Sequence, residues 1–298
     1  MAYLLQQLAN AVPVAALYAA LAFGYAVAFG VTRRADITYG ALFAFAGQML
    51  LLFTDVGYNR LILVLPAALA FGVLLAFLYT TGAGLLIGRV VVRPLVARSP
   101  NTVIVAAFGV LIVLMETAWL ALDTRTVWLP PFFNTRVVFW TDGAFEVTLT
   151  QIQLFNTAVM AALVLIGAGV LRYTTWGRIW RAVTDEPLAA ELCGVSAEKV
   201  FLVAYGSAAL VATVCGLLST SYYGTMDFGA GLIFGLKVLM VAAVGGYGNP
   251  LKSAGGAAVL GATETLWSAY GPLIWRDLVI FSLLVLLLVL SRRERIIP

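Results

Sequence analysis

Residues 61–88 read LILVLPAALAFGVLLAFLYTTGAGLLIG and contain no charged side chain. A helix needs about 20 consecutive apolar residues to cross the hydrocarbon core of a bilayer, so this stretch predicts a membrane-spanning helix. The rest of the chain is similar in composition, because 62% of its residues are hydrophobic and only 11% are charged. Soluble domains carry about 25% charged residues. The composition therefore indicates a membrane protein that crosses the bilayer several times.

Five other charge-free runs along the chain are long enough for one crossing each. They are Met1–Thr32, Ile37–Thr54, Ser99–Met115, Val147–Leu171 and Val200–Met226. In the last third of the chain, charged residues interrupt the apolar stretches, and we predict two or three further crossings near 229–248, 255–275 and 278–291. The sequence thus predicts an all-α polytopic helix bundle of eight or nine spans, in one transmembrane domain over residues 1–298.

The distribution of Lys and Arg predicts which loops face the cytoplasm, because cytoplasmic loops are enriched in these residues. One alternate set of loops contains twelve basic residues and the other set contains four. We therefore expect the N-terminus outside and the C-terminus in the cytoplasm, with an outer loop at about 123–150 and an inner loop at about 172–199. The outer loop is rich in aromatic residues and proline, which suits either partner docking or an aromatic belt at the lipid headgroups.

Composition also excludes several classes of site. The chain contains no histidine, which excludes Ser-His-Asp triads and His-ligated metals or haem. Its two cysteines, Cys193 and Cys215, are too few for a metal cluster, and we expect them to be packing residues. The pattern G-x-x-x-x-G-K-[ST] is missing from the sequence, so we expect no ATP hydrolysis by this chain. We predict no catalytic residue, no bound metal or cofactor and no nucleic-acid partner.

The inner loop at about 172–199 carries eight charged residues and predicts one short helix on the membrane surface. Two acids precede Pro187, which suits the positive N-terminal end of a helix, and Gly194 is a natural C-terminal stop. The small Ala189 and Ala190 would let a partner protein approach closely, although an ordinary amphipathic surface helix explains the same pattern. The residues that we assign to this element are Asp185, Glu186, Pro187, Ala189, Ala190, Glu191, Leu192 and Gly194.

A glycine-rich stretch interrupts the later apolar runs. Gly245, Gly246 and Gly248 precede Asn249 and Pro250, and these residue types do not suit the interior of a helix. Non-helical backbone inside a membrane must be buried in protein or line a water-filled cavity. The stretch is therefore either a broken helix in a substrate pathway or a tight cytoplasmic turn between two spans.

Lys237 lies in an apolar run. An ionisable group at membrane depth costs at least about 2.5–3.5 kcal/mol, so it normally has a partner and a purpose. Glu264 and Glu116 are the candidate acids at depth. An ion pair of Lys237 with either acid would hold helices in register, and a direct role of Lys237 in the permeation path is the alternative.

Three motifs of this chain resemble motifs in the permease subunits of ABC importers of the branched-chain amino acid type. Importers of this type also serve other hydrophobic amino acids, amides and urea. The first motif is the inner-loop run over residues 177–195, which reads GRIWRAVTDEPLAAELCGV. The second is Arg93-Pro94-Leu95 after the third span. The third is the glycine-rich stretch, in which Asn249 replaces the usual Ser of a Gly-Gly-x-Gly-Ser motif. The resemblance covers nearly the whole chain.

This resemblance implies that the inner loop is a coupling helix that sits in a groove of an ATP-binding subunit. It implies two such subunits, which bind ATP and Mg, a second homologous permease and an extracytoplasmic substrate-binding protein. The chain would lie in the bacterial inner membrane, surrounded by lipid, and move branched-chain amino acids or similar small amides by ATP-driven alternating access. The alternative is a self-sufficient secondary carrier or channel for a small neutral solute.

The same resemblance points to residues of a translocation path. Asp36, Tyr39 and Gly40 occupy an element similar to the family's Asn-Phe-Ala-His-Gly, with Asp36 in place of Asn and Tyr39 in place of His. Members of the family also carry a Lys at the position of Lys237. The residues that we assign to the path are Asp36, Tyr39, Gly40, Lys237, Gly245, Gly246 and Glu264.

Overall fold

The computed structural model describes residues 2–96, 100–123, 125–142, 145–245 and 249–291. Its helices are α1 (Ala2–Thr32), α2 (Thr38–Asp55), α3 (Leu65–Ile87), α4 (Arg93–Val96), α5 (Pro100–Ala121), α6 (Gln151–Tyr173), α7 (Thr175–Asp185), α8 (Pro187–Leu192), α9 (Ala197–Tyr223), α10 (Ala230–Gly245), α11 (Pro250–Tyr270) and α12 (Arg276–Ser291). Two strands, β1 (Arg136–Asp142) and β2 (Phe145–Thr150), pair in antiparallel orientation.

The all-α polytopic bundle is confirmed. Within the part of the chain that the structure describes, six helices are long and apolar enough to cross a membrane, namely α1, α2, α3, α5, α6 and α9. Three further helices, α10, α11 and α12, have 16, 21 and 16 residues and lie where the last two or three crossings are predicted. Each begins or ends within a few residues of a charged or glycine-rich interruption, because such residues disfavour the apolar helix interior.

The outer loop contains a β-hairpin that the sequence analysis does not predict. Strand β2 occupies the first residues of the predicted span Val147–Leu171, so that span begins too early. Helix α6 starts at Gln151 because Thr150 and Gln153 cap each other's backbone in a capping box. The hairpin is fastened to α1, since the Gln6 side chain accepts a hydrogen bond from Thr148 N (2.8 Å) and donates one to Thr148 O (2.9 Å).

The core of the bundle is built from α1, α2, α9, α10 and α11. Helix α1 packs along α11 and α9, and α2 packs against α3, α9 and α10. Phe43 and Phe45 of α2 are almost fully buried. By contrast, α3, α5 and α6 expose most of their apolar surface, which is the pattern expected of helices that face lipid.

Helix α1 connects the two ends of the bundle. Near its start, Gln6 contacts the hairpin. Just beyond its other end, the Arg33 guanidinium donates hydrogen bonds to the carbonyl oxygens of Thr184 and Asp185 in α7. The hairpin and the α7–α8 pair therefore lie at opposite ends of the bundle.

Candidate functional site

The inner loop forms two helices, α7 and α8, which we call the inner element. The predicted short helix is present as α8, which starts at Pro187 and ends at Leu192. Gly194 has a φ of +85°, a left-handed conformation that favours glycine, so it stops the helix as predicted. Asp185 precedes this helix as predicted, but it is also the last residue of α7, a second helix that the sequence does not predict. Glu186 is the extended residue between the two helices.

The inner element is held firmly against the bundle. Trp180 of α7 is buried, and its indole Nε1 donates a hydrogen bond to the carbonyl oxygen of Val27 in α1 (3.1 Å). Gly30 of α1 lies so close to the Trp180 ring that a Cβ would clash with it. The Arg33 guanidinium adds a hydrogen bond of 2.7 Å to Asp185 O. These contacts tie α7 to the end of α1.

The two small residues of α8 differ in exposure. Ala190 is only 6% exposed and packs with Val183, Val200 and other apolar residues of the bundle. Ala190 therefore faces the bundle, because one face of α8 must cover this small apolar cluster, and its role in coupling stays a prediction. Ala189 is exposed as predicted. The largest exposed apolar side chains of α8 are Leu188 (67%) and Leu192 (83%).

Lys237 pairs with Glu264, as one of the two predicted alternatives requires. The distance from Lys237 Nζ to Glu264 Oε1 is 2.8 Å, and both residues are buried. Asp277, at the start of α12, lies 3.1 Å from the same ammonium, which the sequence analysis does not predict. The alternative pair with Glu116 is wrong, because Glu116 lies on an exposed face of α5, a helix that packs against α2.

Two more groups complete this cluster. Arg276 Nε lies 3.6 Å from Glu264 Oε1 and 3.5 Å from Asp277 Oδ1. The Tyr18 hydroxyl of α1 donates a hydrogen bond to Glu264 Oε2 (2.8 Å). We call Lys237, Glu264, Arg276 and Asp277 the ion cluster. Its two positive and two negative charges balance, and it joins α10, α11 and α12 to α1 through Tyr18.

Asp36 organises the corner between α1 and α2. Its carboxylate accepts hydrogen bonds from the backbone N–H (2.9 Å) and hydroxyl of Thr38, and from the Tyr205 hydroxyl of α9 (2.9 Å). Burial raises the pKa of this carboxyl above its ordinary value, and the hydrogen bonds from Thr38 and Tyr205 act in the opposite direction. Asp36 thus connects the start of α2 to α9 through hydrogen bonds.

Tyr39 and Gly40 begin helix α2. Tyr39 is buried, and among the residues that the structure describes its hydroxyl has no hydrogen-bond partner. Gly40 lies at a crossing of α2 with α10, where a Cβ would fall inside contact distance of Gly235 Cα and the carbonyl oxygen of Gly231. Glycine is needed at position 40 because the two backbones touch there.

The glycine-rich stretch separates α10 from α11. Helix α10 ends at Gly245, and Gly246 lies outside the described residues. Asn249 caps α11 by accepting a hydrogen bond from Lys252 N (3.3 Å), and Pro250 is the first residue of that helix. One helix therefore ends and the next begins at this stretch, in agreement with the predicted interruption.

The predicted path residues thus fall into separate groups. Lys237 and Glu264 meet in the ion cluster, whereas Asp36, Tyr39 and Gly40 lie together at the start of α2. The sequence analysis missed four participants, namely Tyr18, Tyr205, Arg276 and Asp277. The adjacent charges at 276 and 277 were the available signal, because charged residues beside an apolar run need partners.

The chain is similar to known proteins over most of its length. A family model described as "Branched-chain amino acid transport system / permease component" matches residues 7–288. The "High-affinity branched-chain amino acid transport system permease protein LivH" of Escherichia coli (strain K12) is 28% identical over 294 residues, which cover 96% of this chain and 93% of that protein. LivH of Salmonella typhimurium is 27% identical over 290 residues, with the same shares.

A protein from a third organism gives the same result. The "High-affinity branched-chain amino acid transport system permease protein BraD" of Pseudomonas aeruginosa is 25% identical over 289 residues, 95% of this chain and 92% of that protein. No solved structure matches the chain significantly. The family model spans nearly all of the membrane helices described above, and the three relatives cover the chain almost from end to end. The chain therefore belongs to the family of permease components of branched-chain amino acid transport systems.

Proposed function

We propose that this permease is one of two homologous permease subunits in an ATP-driven importer of the bacterial inner membrane. Two ATP-binding subunits would bind ATP and Mg on the inner side, and an extracytoplasmic binding protein would deliver the solute on the other side. The solute would be a branched-chain amino acid or a similar small amide, as the names of the relatives suggest. The excess of Lys and Arg in one set of loops supports a cytoplasmic inner element and C-terminus.

The observation that carries this proposal is the exposed leucine pair of α8. Leu188 and Leu192 are four residues apart, so they lie on one face of the helix and present an apolar surface. Exposed apolar patches beside charged residues mark protein interaction sites. The patch sits on an element that buries Trp180 and Ala190 in the bundle, so a subunit bound there would move the bundle with it.

A physical route for alternating access follows from the same contacts. A force on α8 reaches α7, and the Trp180–Val27 and Arg33–Asp185 hydrogen bonds transfer it to α1 and its end. Helix α1 in turn holds Glu264 through Tyr18. A displacement of α1 along its axis would therefore change the contacts of the ion cluster, where α10, α11 and α12 meet.

The test is a double substitution, Leu188→Glu with Leu192→Glu, in the affinity-tagged chain purified from its native membrane in mild detergent. ATP-binding subunits should accompany the unaltered chain, and their amount should fall about tenfold or more in the variant, because two carboxylates would be desolvated at the contact. Ile274→Glu is the matched control. This residue is 94% exposed and lies in the connection before α12, away from the inner element.

Mass spectrometry of the purified material identifies the partners. Equal recovery of ATP-binding subunits with the variant and the control would contradict α8 as the docking site. If the unaltered chain purifies alone and conducts solute in liposomes without ATP, the proposal as a whole fails and a self-sufficient carrier or channel takes its place. Membership of a transport-system permease family favours the importer over that alternative.

A further inference from the structure

A polar cavity opens at the hairpin end of the bundle, between α1, α6, α9 and α11. We call it the vestibule, and its volume is about 390 Å³. Neutral side chains with hydrogen-bonding groups dominate its wall, namely Gln7, Asn10, Gln153, Tyr222, Thr265 and Ser268. Among the described residues that line it, none carries a charge at neutral pH. A solute with net charge would find no opposite charge on this wall.

A second, narrow cavity of about 30 Å³, which we call the inner end, adjoins the vestibule and shares Gln153 and Tyr222 with it. This volume is about that of one water molecule in the liquid, so the inner end accommodates a single small polar group. Its wall is largely apolar, with Leu17 and Met160 among its residues. Asn156 and Ser219 are the buried polar residues there, each with 5% of its surface exposed.

Asn156 holds an unused acceptor at this inner end. Its Nδ2 donates a hydrogen bond to the carbonyl oxygen of Leu218 (2.8 Å), which fixes the orientation of the amide because a carbonyl oxygen can only accept. Among the described residues, Asn156 Oδ1 has no hydrogen-bond partner. A buried acceptor without a partner is unfavourable, so a donor group that reaches this atom would be stabilised there.

Tyr222 holds the complementary donor. Gln153 Oε1 accepts a hydrogen bond from Thr150 N (2.8 Å), so the Gln153 amide must point its Nε2 the other way. That Nε2 donates to the Tyr222 hydroxyl oxygen (2.8 Å). The Tyr222 hydroxyl hydrogen is then directed away from Gln153, and both residues line the cavity. The wall thus combines one oriented donor and one oriented acceptor beside an apolar surface.

We propose that Asn156 and Tyr222 form a recognition pair for the transported solute inside a single permease chain. The solute is a small amphipathic molecule in which an N–H donor lies next to a carboxylate or carbonyl oxygen. Asn156 Oδ1 accepts from the N–H group at the inner end, the Tyr222 hydroxyl donates to the oxygen, and the aliphatic part lies in the wider cavity against Pro13 and Val14. An aliphatic amino acid and an aliphatic amide share this chemistry. The inference rests on the proposed transport function and assigns it a binding site.

The experiment measures protection of a cysteine in the vestibule, in membranes that contain the chain with its natural partners and no ATP. Ser268→Cys, in a Cys193→Ser background, places a thiol on an exposed position of the wall. Leucine and isovaleramide are the two donor-bearing probes, and 4-methylpentan-2-one, the neutral ketone in which a methyl group replaces the amide NH2 of isovaleramide, is the negative probe. Labelling by a small maleimide should slow about twofold or more once a donor-bearing probe exceeds its Kd, because an occupied site excludes the reagent.

The variants decide whether the pair is responsible. Asn156→Leu and Tyr222→Phe should each abolish the protection, whereas Tyr58→Phe should keep it, because Tyr58 is an exposed tyrosine that does not line the vestibule. If Asn156→Leu fails to fold, Tyr222→Phe still tests the pair, since it removes one oxygen atom and keeps the ring. Protection by leucine alone identifies an amino acid site, and protection by isovaleramide alone identifies an amide site.

The outcomes separate this inference from the proposed function. The recognition pair would be overturned if the labelling rate is the same with all three probes, whether or not they protect the thiol. Protection that survives both variants would also overturn it, even if ATP-driven uptake is intact. Protection that depends on both residues supports the pair even if ATP-binding subunits do not purify with the chain. The labelling step uses no ATP, so a failure of coupling leaves its result unchanged.

Discussion

At the scale of single residues, the charges inside the bundle are the most informative feature. Lys237 meets two carboxylates, and Glu264 also accepts a hydrogen bond from Tyr18. A buried ion pair stabilises a protein little in net terms, but removal of one partner leaves an uncompensated buried charge that costs about 3–5 kcal/mol. The cluster is therefore sensitive to any change that unbalances it.

Lys237→Met should lower uptake about tenfold or more while the protein still reaches the membrane, because Glu264 and Asp277 would lose the cation that they share. Uptake of radiolabelled substrate is compared at equal amounts of protein in the membrane. Lys252→Met is the matched control, since Lys252 is an exposed lysine in the first turn of α11.

A variant that restores the balance of charge in the ion cluster gives a second check of the same prediction. The double variant Lys237→Met with Glu264→Gln removes one charge of each sign and should recover part of the lost uptake. Unchanged uptake in Lys237→Met, at equal expression, would contradict a functional role of the ion cluster.

At the scale of elements, the contact between α2 and α10 depends on glycine. Gly40 faces Gly235 and Gly231 so closely that the two helix backbones touch. Such small-residue contacts let membrane helices gain van der Waals packing that larger side chains would prevent. The start of α2 is therefore held between α10 and, through Asp36 and Tyr205, α9.

Gly40→Ala should destabilise the protein by about 1–3 kcal/mol, because the added Cβ meets backbone atoms that cannot move aside cheaply. The melting temperature of the purified chain in detergent should fall accordingly. In the control Gly109→Ala, on α5, a Cβ has no atom within 4 Å, so the melting temperature should stay the same or rise slightly. Equal melting temperatures for the two variants would contradict the close contact.

At the scale of the whole molecule, α1 links two ends of different chemistry. The hairpin and the vestibule lie at one end, and the inner element lies at the other. The predicted orientation assigns the hairpin end to the outside and the inner element to the cytoplasm. Solute entry and energy coupling would then occur on opposite sides of the membrane.

The native cysteines test this orientation directly. Cys193 follows α8 and is exposed, whereas Cys215 is buried in α9. A membrane-impermeant maleimide should label the chain in inside-out vesicles and leave it unlabelled in intact spheroplasts. Cys193→Ser should remove the signal. Labelling of spheroplasts at Cys193 would mean that the inner element faces the outside and that the assignment from basic residues is wrong.

Some of these features follow from local sequence alone. Charge-free apolar runs predict the membrane helices, because burial of unpaired charge in lipid is costly whatever the fold. Pro187 and Gly194 predict where α8 starts and stops, because their backbone preferences are local. The cost of a buried charge also predicts that Lys237 has an acidic partner, but it does not choose between Glu264 and Glu116.

The sequence by itself determined the class of protein, the order of the membrane-spanning helices and the family. Only the tertiary structure decided that Asp277 shares Lys237 with Glu264, that Ala190 points inward while Leu188 and Leu192 remain exposed, and that Asn156 and Tyr222 line one cavity. The physical reason is that hydropathy and backbone preference act over a few residues. Contacts between α1, α6, α9 and α11 depend instead on how distant helices cross and rotate.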